Sequence, residues 1–299
     1  MGQNRFHRWV GLSCLWAGVL VAATTLSAQT DIQVATPGGT TVAEKNVDSL
    51  RASYAVSLPP DVELTALARR RSPGSSSGTP TGYGAEFGDI FVGAGFQSRM
   101  RYVRHLAPRR RVDGWVGGGI GLGNARKNLG VELEFTSYST LRSGFLNHRS
   151  FSFKVHRRLP WNTSIAYGWE NAIRSEGLDG GSSMYGVASR AFKLRDRSSP
   201  FSRVTMSAGV GGGRFQTENA IEDWKHGMNA FGSVGVRILP PFSLITEWTG
   251  QDLTLGASIV PFPRIPLSIS PAFADVTGTA GDGRRFIVGV GMDFSLLRK

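Results

Sequence analysis

The sequence predicts an all-β chain: an antiparallel up-and-down transmembrane β-barrel of about 12 strands, preceded by a cleaved signal peptide and a partly disordered N-terminal segment. Three observations predict it. From Tyr83 onward apolar residues recur at every second position, the period of a strand with two unlike faces. The connections between these strands alternate in length. The last stretch, residues 285–296, sets Phe286, Val288, Val290, Met292, Phe294 and Leu296 on one face against Gly289, Gly291, Asp293 and Ser295 on the other, where Ile287 is the only bulky apolar side chain. An unbroken apolar face beside a small, polar one suits a wall between lipid and an aqueous lumen.

Composition excludes one class and permits another. The 299 residues are 40% hydrophobic with a mean hydropathy of −0.12, too polar for a bundle of membrane helices. A membrane barrel averages to near zero because lipid-facing and lumen-facing residues alternate.

The chain begins with the pattern of a secretory signal. Arg5 and Arg8 form a basic start, residues 10–23 an apolar run, and Thr24, Thr25, Ser27 and Ala28 follow as small residues. Cleavage is expected after Ala28, or after Ser27 because Leu26 is bulky at the −3 position. The apolar run falls short of the roughly 20 residues that a helical span needs. Cys14, the only cysteine, lies inside that run, so processing leaves no thiol for a disulfide, a metal site or a nucleophile. Removing Arg5 and Arg8 from a chain of net charge +12 leaves it strongly basic, which in an exported protein points to anionic lipid, polysaccharide or small anions.

Residues 29–82 read as a periplasmic segment. Two short helical candidates, 44–54 and 61–71, lead to Ser72-Pro73-Gly74-Ser75-Ser76-Ser77-Gly78-Thr79-Pro80, a flexible linker by composition. The barrel is expected over 83–299.

Its strands follow in order. Ile90, Val92, Ala94 and Phe96 oppose Gly93, Gly95 and Gln97; Val116, Ile120 and Leu122 oppose Trp115, Gly117, Gly119, Gly121 and Gly123. Leu129, Val131, Leu133 and Phe135 alternate with Gly130, Glu132, Glu134 and Thr136, and Phe151, Phe153 and Val155 oppose Ser152, Lys154 and His156. The apolar faces continue through Ile165, Tyr167 and Trp169, then Tyr185 and Val187, then Val204, Met206, Ala208 and Val210. Val234, Val236 and Ile238 come next, then Leu244 and Trp248, then Leu253, Leu255, Ala257 and Ile259, then Ile265, Leu267 and Ile269 before the final strand. Connections 98–112, 139–149, 174–182, 211–227 and 274–284 are each roughly 9 to 17 residues long, whereas 124–127, 158–162, 195–200, 239–241 and 261–264 are each about 3 to 6. The short turn near Gly250-Gln251 is the exception. If both ends of the barrel lie in the periplasm, all five long connections face outward and the five short ones inward, a sorting that a soluble sandwich has no reason to show.

Three blocks add a resemblance: Asn229 to Arg237 (NAFGSVGVR), Glu247 to Leu253 (EWTGQDL) and Asp275 to Gly283 (DVTGTAGDG). With the region from Tyr83 to Phe294, the chain resembles a group of largely uncharacterised bacterial outer-membrane β-barrel, porin-like proteins. The resemblance implies a porin-like fold and an outer-membrane address, and brings no substrate or catalytic residue.

Glu132, Glu134, Lys154, His156, Glu170, Arg190, Arg203, Arg237, Glu247 and Asp293 all fall opposite apolar faces and are expected to line the lumen. A basic side chain facing lipid near the midplane costs about 2–4 kcal/mol. Two functions follow: a porin-like channel for ions or small polar solutes, or a non-conducting structural barrel in surface organisation or exopolysaccharide export or anchoring. No cofactor is expected. The glycine clusters lie within strands and lack a phosphate-loop spacing, and no G-x-S-x-G or third partner accompanies His148, Ser150, Ser152 or His156, so an enzyme is not expected. His226 with Glu222 and Asp223 reads as a solvated loop rather than a metal site. The first long connection and its approach gather Arg99, Arg101, Arg104, Arg109, Arg110 and Arg111 around His105 with no carboxylate. It reads either as a solvated loop or as a contact expected for lipopolysaccharide, polysaccharide or small anions; aromatics are too few for nucleic acid. Phe286, Val288, Val290, Met292 and Phe294 form the strand that barrel-assembly machinery is expected to read, with Phe294 as its aromatic signal.

Overall fold

The computed structural model describes residues 72–99, 112–138, 140, 146–175, 181–217, 220, 227–262, 265–280 and 283–297. The signal peptide, residues 29–71, His105, Glu222, Asp223, His226 and five of the loop arginines (101, 104, 109, 110 and 111) lie outside the described residues.

The described residues form twelve strands: β1 (Asp89–Gln97), β2 (Asp113–Gly123), β3 (Gly130–Tyr138), β4 (His148–Leu159), β5 (Thr163–Arg174), β6 (Ser183–Lys193), β7 (Arg203–Gly211), β8 (Asn229–Leu239), β9 (Phe242–Trp248), β10 (Leu253–Ile259), β11 (Leu267–Ala274) and β12 (Arg285–Ser295). Each pairs antiparallel with its sequence neighbours, and β12 returns to β1 to close the barrel. The seam runs from Asp89 opposite Ser295, with Leu296 N–H donating to the Gly88 carbonyl at 2.7 Å, to Ser98 N–H donating to the Phe286 carbonyl at 2.9 Å. Both barrel termini and the connections after β2, β4, β6, β8 and β10 share one end, the turn end. The longer connections and the short turn after β9 share the other, the loop end.

The polarity of the wall is inverted relative to a soluble protein. In β3 Glu132 is 4% exposed and its neighbour Leu133 is 41% exposed. Ile120, Phe151, Tyr167, Met206, Leu244, Trp248, Leu255 and Phe273 continue the exposed apolar exterior, while Ser150, Ser164, Ser189, Ser207, Ser233, Ser243 and Ser258 are buried inside.

Strand β6 corrects one assignment. Tyr185 and Val187 face inward, where they pack with Ala166, Phe215 and Phe231. The Phe215 and Phe231 rings stack at 4.3 Å and Tyr185 meets each edge-on. Arg190, expected in the lumen, is therefore on the exterior, its guanidinium 4.9 Å from the centroid of the Phe192 ring. Its position near the turn end lets the long side chain keep its charge at the rim while its stem covers apolar wall.

A second correction concerns residues 72–80, expected as a periplasmic linker. They enter the barrel. Gly74 N–H donates to Ser258 Oγ at 2.8 Å, Gly82 N–H to Ser189 Oγ at 2.8 Å, and Ala85 N–H to Glu132 Oε2 at 2.8 Å. All three acceptors face inward, so residues 72–86 form an internal strap. It rises from the turn end, reverses near Thr79 and descends into β1. Its Gly, Ser and Pro composition fits a flexible linker, but the same short side chains let backbone pass close to the wall. A Cβ on Gly121 would lie 2.3 Å from the Glu86 carbonyl oxygen.

Gly121→Leu is expected to push the strap from β2, at a cost of about 1–3 kcal/mol. Hydrogen–deuterium exchange across residues 82–86 checks this: faster exchange is expected with barrel strands still protected, and an unchanged rate contradicts the close approach.

Candidate functional site

The strap and the lumen wall together make the candidate site. Its tip is organised by Glu247 on β9. Glu247 Oε1 accepts from Ser76 Oγ at 2.5 Å, from the N–H groups of Ser77, Gly78 and Thr79 at 2.6, 3.3 and 3.5 Å, and from Thr79 Oγ1 at 3.1 Å. Successive N–H groups converging on one oxygen form an anion nest, here filled by the barrel's own carboxylate. Glu247 is 1% exposed, so the strap supplies the donors that water would otherwise give.

A second contact comes from the loop end. The connection after β7 begins with a single 3-10 turn, Gly213–Phe215, which places Arg214 and Phe215 in the lumen. Arg214 grips Glu170 through two hydrogen bonds, from Nε to Oε2 and from Nη2 to Oε1 at 2.8 Å, and Nη2 also donates to the Gly78 carbonyl at 3.0 Å. Phe215 packs under the turn after β9, where Gly250 has φ +95° and a Cβ would lie 2.0 Å from the Phe215 carbonyl oxygen. One guanidinium thus ties the strap tip, strand β5 and the loop-end turn together.

The descending limb meets another pair. Lys154 Nζ lies 2.9 Å from Glu132 Oε1, across directly opposed positions of β3 and β4, while Glu132 Oε2 takes the Ala85 N–H. His156 is 1% exposed between Gly84 and Gly130, and neither ring nitrogen has a hydrogen-bond partner among the described residues. It therefore forms no Ser–His pair with Ser152. Glu86 pairs with Arg158 at 3.3 Å, and Tyr83 Oη donates to the Asn162 carbonyl. Near the loop end Arg285 Nη2 lies 3.2 Å from Asp252 Oδ2, both buried.

The expected lumen residues Glu132, Glu134, Lys154, His156, Glu170, Arg237 and Glu247 all face inward, and Arg203 and Asp293 lie on the same side at the turn-end rim, where both are exposed. Glu134 accepts from Thr136 Oγ1 at 3.1 Å. Of the basic loop only Arg99 is described, beside Gly283 of the connection after β11. The sequence reading did not single out Arg214, Asp252, Arg285 or the strap donors. Arg214 sits in a long connection with no period to mark an inward turn. The nest is three consecutive backbone N–H groups, which no residue type announces. Asp252 and Arg285 lie at strand ends, where alternation gives way to the loop.

Among the described residues no group of three or more His, Cys, Asp or Glu side chains is arranged to hold a metal ion. No protein-family model matches the chain, and no curated protein matches it.

Glu247→Ala removes the acceptor from three strap N–H groups, at about 1–3 kcal/mol for each buried donor left unsatisfied. Glu247→Gln keeps an oxygen in place. The expected order of stability in urea, followed by the heat-modifiable gel mobility of the folded barrel, is parent, then Gln, then Ala; equal midpoints for all three contradict the role given to the nest.

Proposed function

We propose that the chain is an outer-membrane β-barrel, exported by an N-terminal signal peptide, that acts as a porin-like channel for ions or small polar solutes and is closed in the described state by its own strap. The apolar exterior and polar interior support the membrane reading, because a closed barrel satisfies every strand backbone group without an edge. Among the described residues no helix is long and apolar enough to cross a membrane; crossing falls to the strands. Short turns at the end that holds both barrel termini support a periplasmic turn end and an external loop end.

The observation that carries the channel reading is chemical. The strap is held by serine hydroxyls, backbone N–H groups and carboxylates, polar contacts that water can replace, worth about 0.5–1.5 kcal/mol each between neutral groups and about 1.5–3 kcal/mol where a carboxylate accepts. Withdrawal toward the periplasm leaves a polar passage already suited to water. The second reading, a non-conducting barrel that organises the surface or helps export or anchor exopolysaccharide, is favoured by the double closure: the strap fills the lumen and Arg214 with Phe215 closes over its tip. No catalytic step is assigned to either reading.

Partners follow from the same surfaces. Outer-membrane lipid covers the exterior, and the loop arginines meet lipopolysaccharide, polysaccharide or small anions. Barrel-assembly machinery reads β12, whose Phe294 is on the outer face near the turn end at 39% exposure.

Planar-bilayer recording of the purified barrel separates the two functional readings. Rare openings are expected for the parent and more frequent ones for Glu247→Ala, with the open-to-closed ratio rising about five- to thirtyfold if one or two kcal/mol of closure is lost. Persistent silence of both supports the structural barrel. Independently, Phe294→Asn is expected to lower the folded, membrane-inserted fraction in cells several-fold; unaltered insertion places the assembly signal elsewhere.

A further inference from the structure

The turn end holds a cavity of about 800 Å³, walled by the start of the strap, Tyr83 and the residues around Trp161. Arg126, Arg158, Arg203 and Arg237 all line it, and among the described residues no carboxylate does. Arg158 is answered by Glu86 at 3.3 Å. Arg237 is different. It is 4% exposed, and its buried Nε has no hydrogen-bond partner among the described residues. Its opposed neighbours are Arg203 on β7 and Ser243 on β9.

Elsewhere in the lumen buried cations are matched: Lys154 faces Glu132, Arg214 grips Glu170 and Arg285 meets Asp252. A guanidinium whose Nε is buried without a partner and whose opposed charged neighbour is another arginine is costly unless an anion completes it. Arginine presents a planar fork of donors matched to an oxyanion, and two arginines on opposed strand positions offer two forks to one group. The cavity is larger than one phosphate, within the roughly 300–1,000 Å³ of small-molecule sites. Trp161 and Tyr83 supply flat surfaces, and Thr205 and Ser243 supply hydroxyls.

We infer that this vestibule binds a small oxyanionic solute of sugar-phosphate size, its phosphate or carboxylate held between Arg237 and Arg203. The site does not depend on conduction, since a closed or structural barrel binds the anion equally, so either reading survives failure of the other.

The test uses the folded full chain in zwitterionic detergent, titrated calorimetrically with glucose 6-phosphate, inorganic phosphate and glucose. Saturable binding of both phosphates and none of glucose is expected. R237Q and R203Q each weaken binding about ten- to hundredfold, R237K retains part of it, and R190Q, which removes a charge from the exterior, leaves it unchanged. Heat-modifiable mobility confirms that each variant is folded, and the exposed Arg203 keeps the test decisive if R237Q is not. Equal loss in R190Q, or no saturable binding at millimolar phosphate, overturns the site. A parallel titration in nanodiscs distinguishes a lipid headgroup: binding that requires phosphatidylglycerol and is absent for both soluble phosphates overturns the solute assignment.

Discussion

The seam between β1 and β12, hydrogen-bonded from Leu296–Gly88 at one end to Phe286–Ser98 at the other, removes the last free strand edge, and the rest of the molecule follows from it. Once the sheet is closed, each strand has one face outside and one face inside, with no third place for a side chain. Apolar residues on the outer face need no water, and polar residues on the inner face need partners. A lumen of this width supplies only part of them across its own walls. Directly opposed positions give Glu132 its Lys154, but among the described residues Glu247 has no cation at hydrogen-bonding distance and takes its donors from the strap. The strap is thus the interior solvent of one half of the barrel, covalently attached to it.

Much of this was legible in the alternation of the strands. The twelve strands, the closure, the short turns and the inward direction of nearly all the named lumen charges follow from period two, because a slip of one residue exchanges every inside and outside position. Strand β6 shows the limit. Tyr185, Val187 and Ser189 alternate with Met184, Ala188 and Arg190, and neither set is polar enough to mark it as the inner one. What decides is Phe215, folded in from the connection after β7, and Phe231 on β8; their apolar surface needs apolar partners inside. That contact joins segments far apart in sequence and leaves no trace in the period of β6.

The strap was illegible for a related reason. Ser72 to Pro80 has the composition of a linker because a chain that must pass against bare backbone needs small side chains, and a solvated linker needs them too. The distinguishing property lies in the wall: a run of inward serines on β5, β6, β9 and β10 with Glu247 above them. Ser164, Ser189, Ser243 and Ser258 are all buried. Lumen-facing serines alone read as a polar channel. Only when the strap's N–H and carbonyl groups are placed opposite them do they become its seats, as at Ser164 Oγ, which donates to the Gly82 carbonyl at 2.6 Å.

The two ends of the lumen also differ in charge, and that difference bears on how the strap sits. Toward the loop end cations and carboxylates are matched, and the strap tip joins them through Gly78 and Arg214. Toward the turn end arginines gather, and the strap offers them only the Glu86 carboxylate and, at its entrance, the Ser72 hydroxyl that accepts from Arg197 at 3.0 Å. The strap is therefore fixed most firmly at its tip and least firmly where it enters. A segment held in that order is released from its entrance inward: on the channel reading the entrance moves first, and the lumen opens only when the nest around Glu247 gives way. On the channel reading, closure is governed by one carboxylate buried deep in the barrel, set apart from the arginine-lined cavity at the turn end.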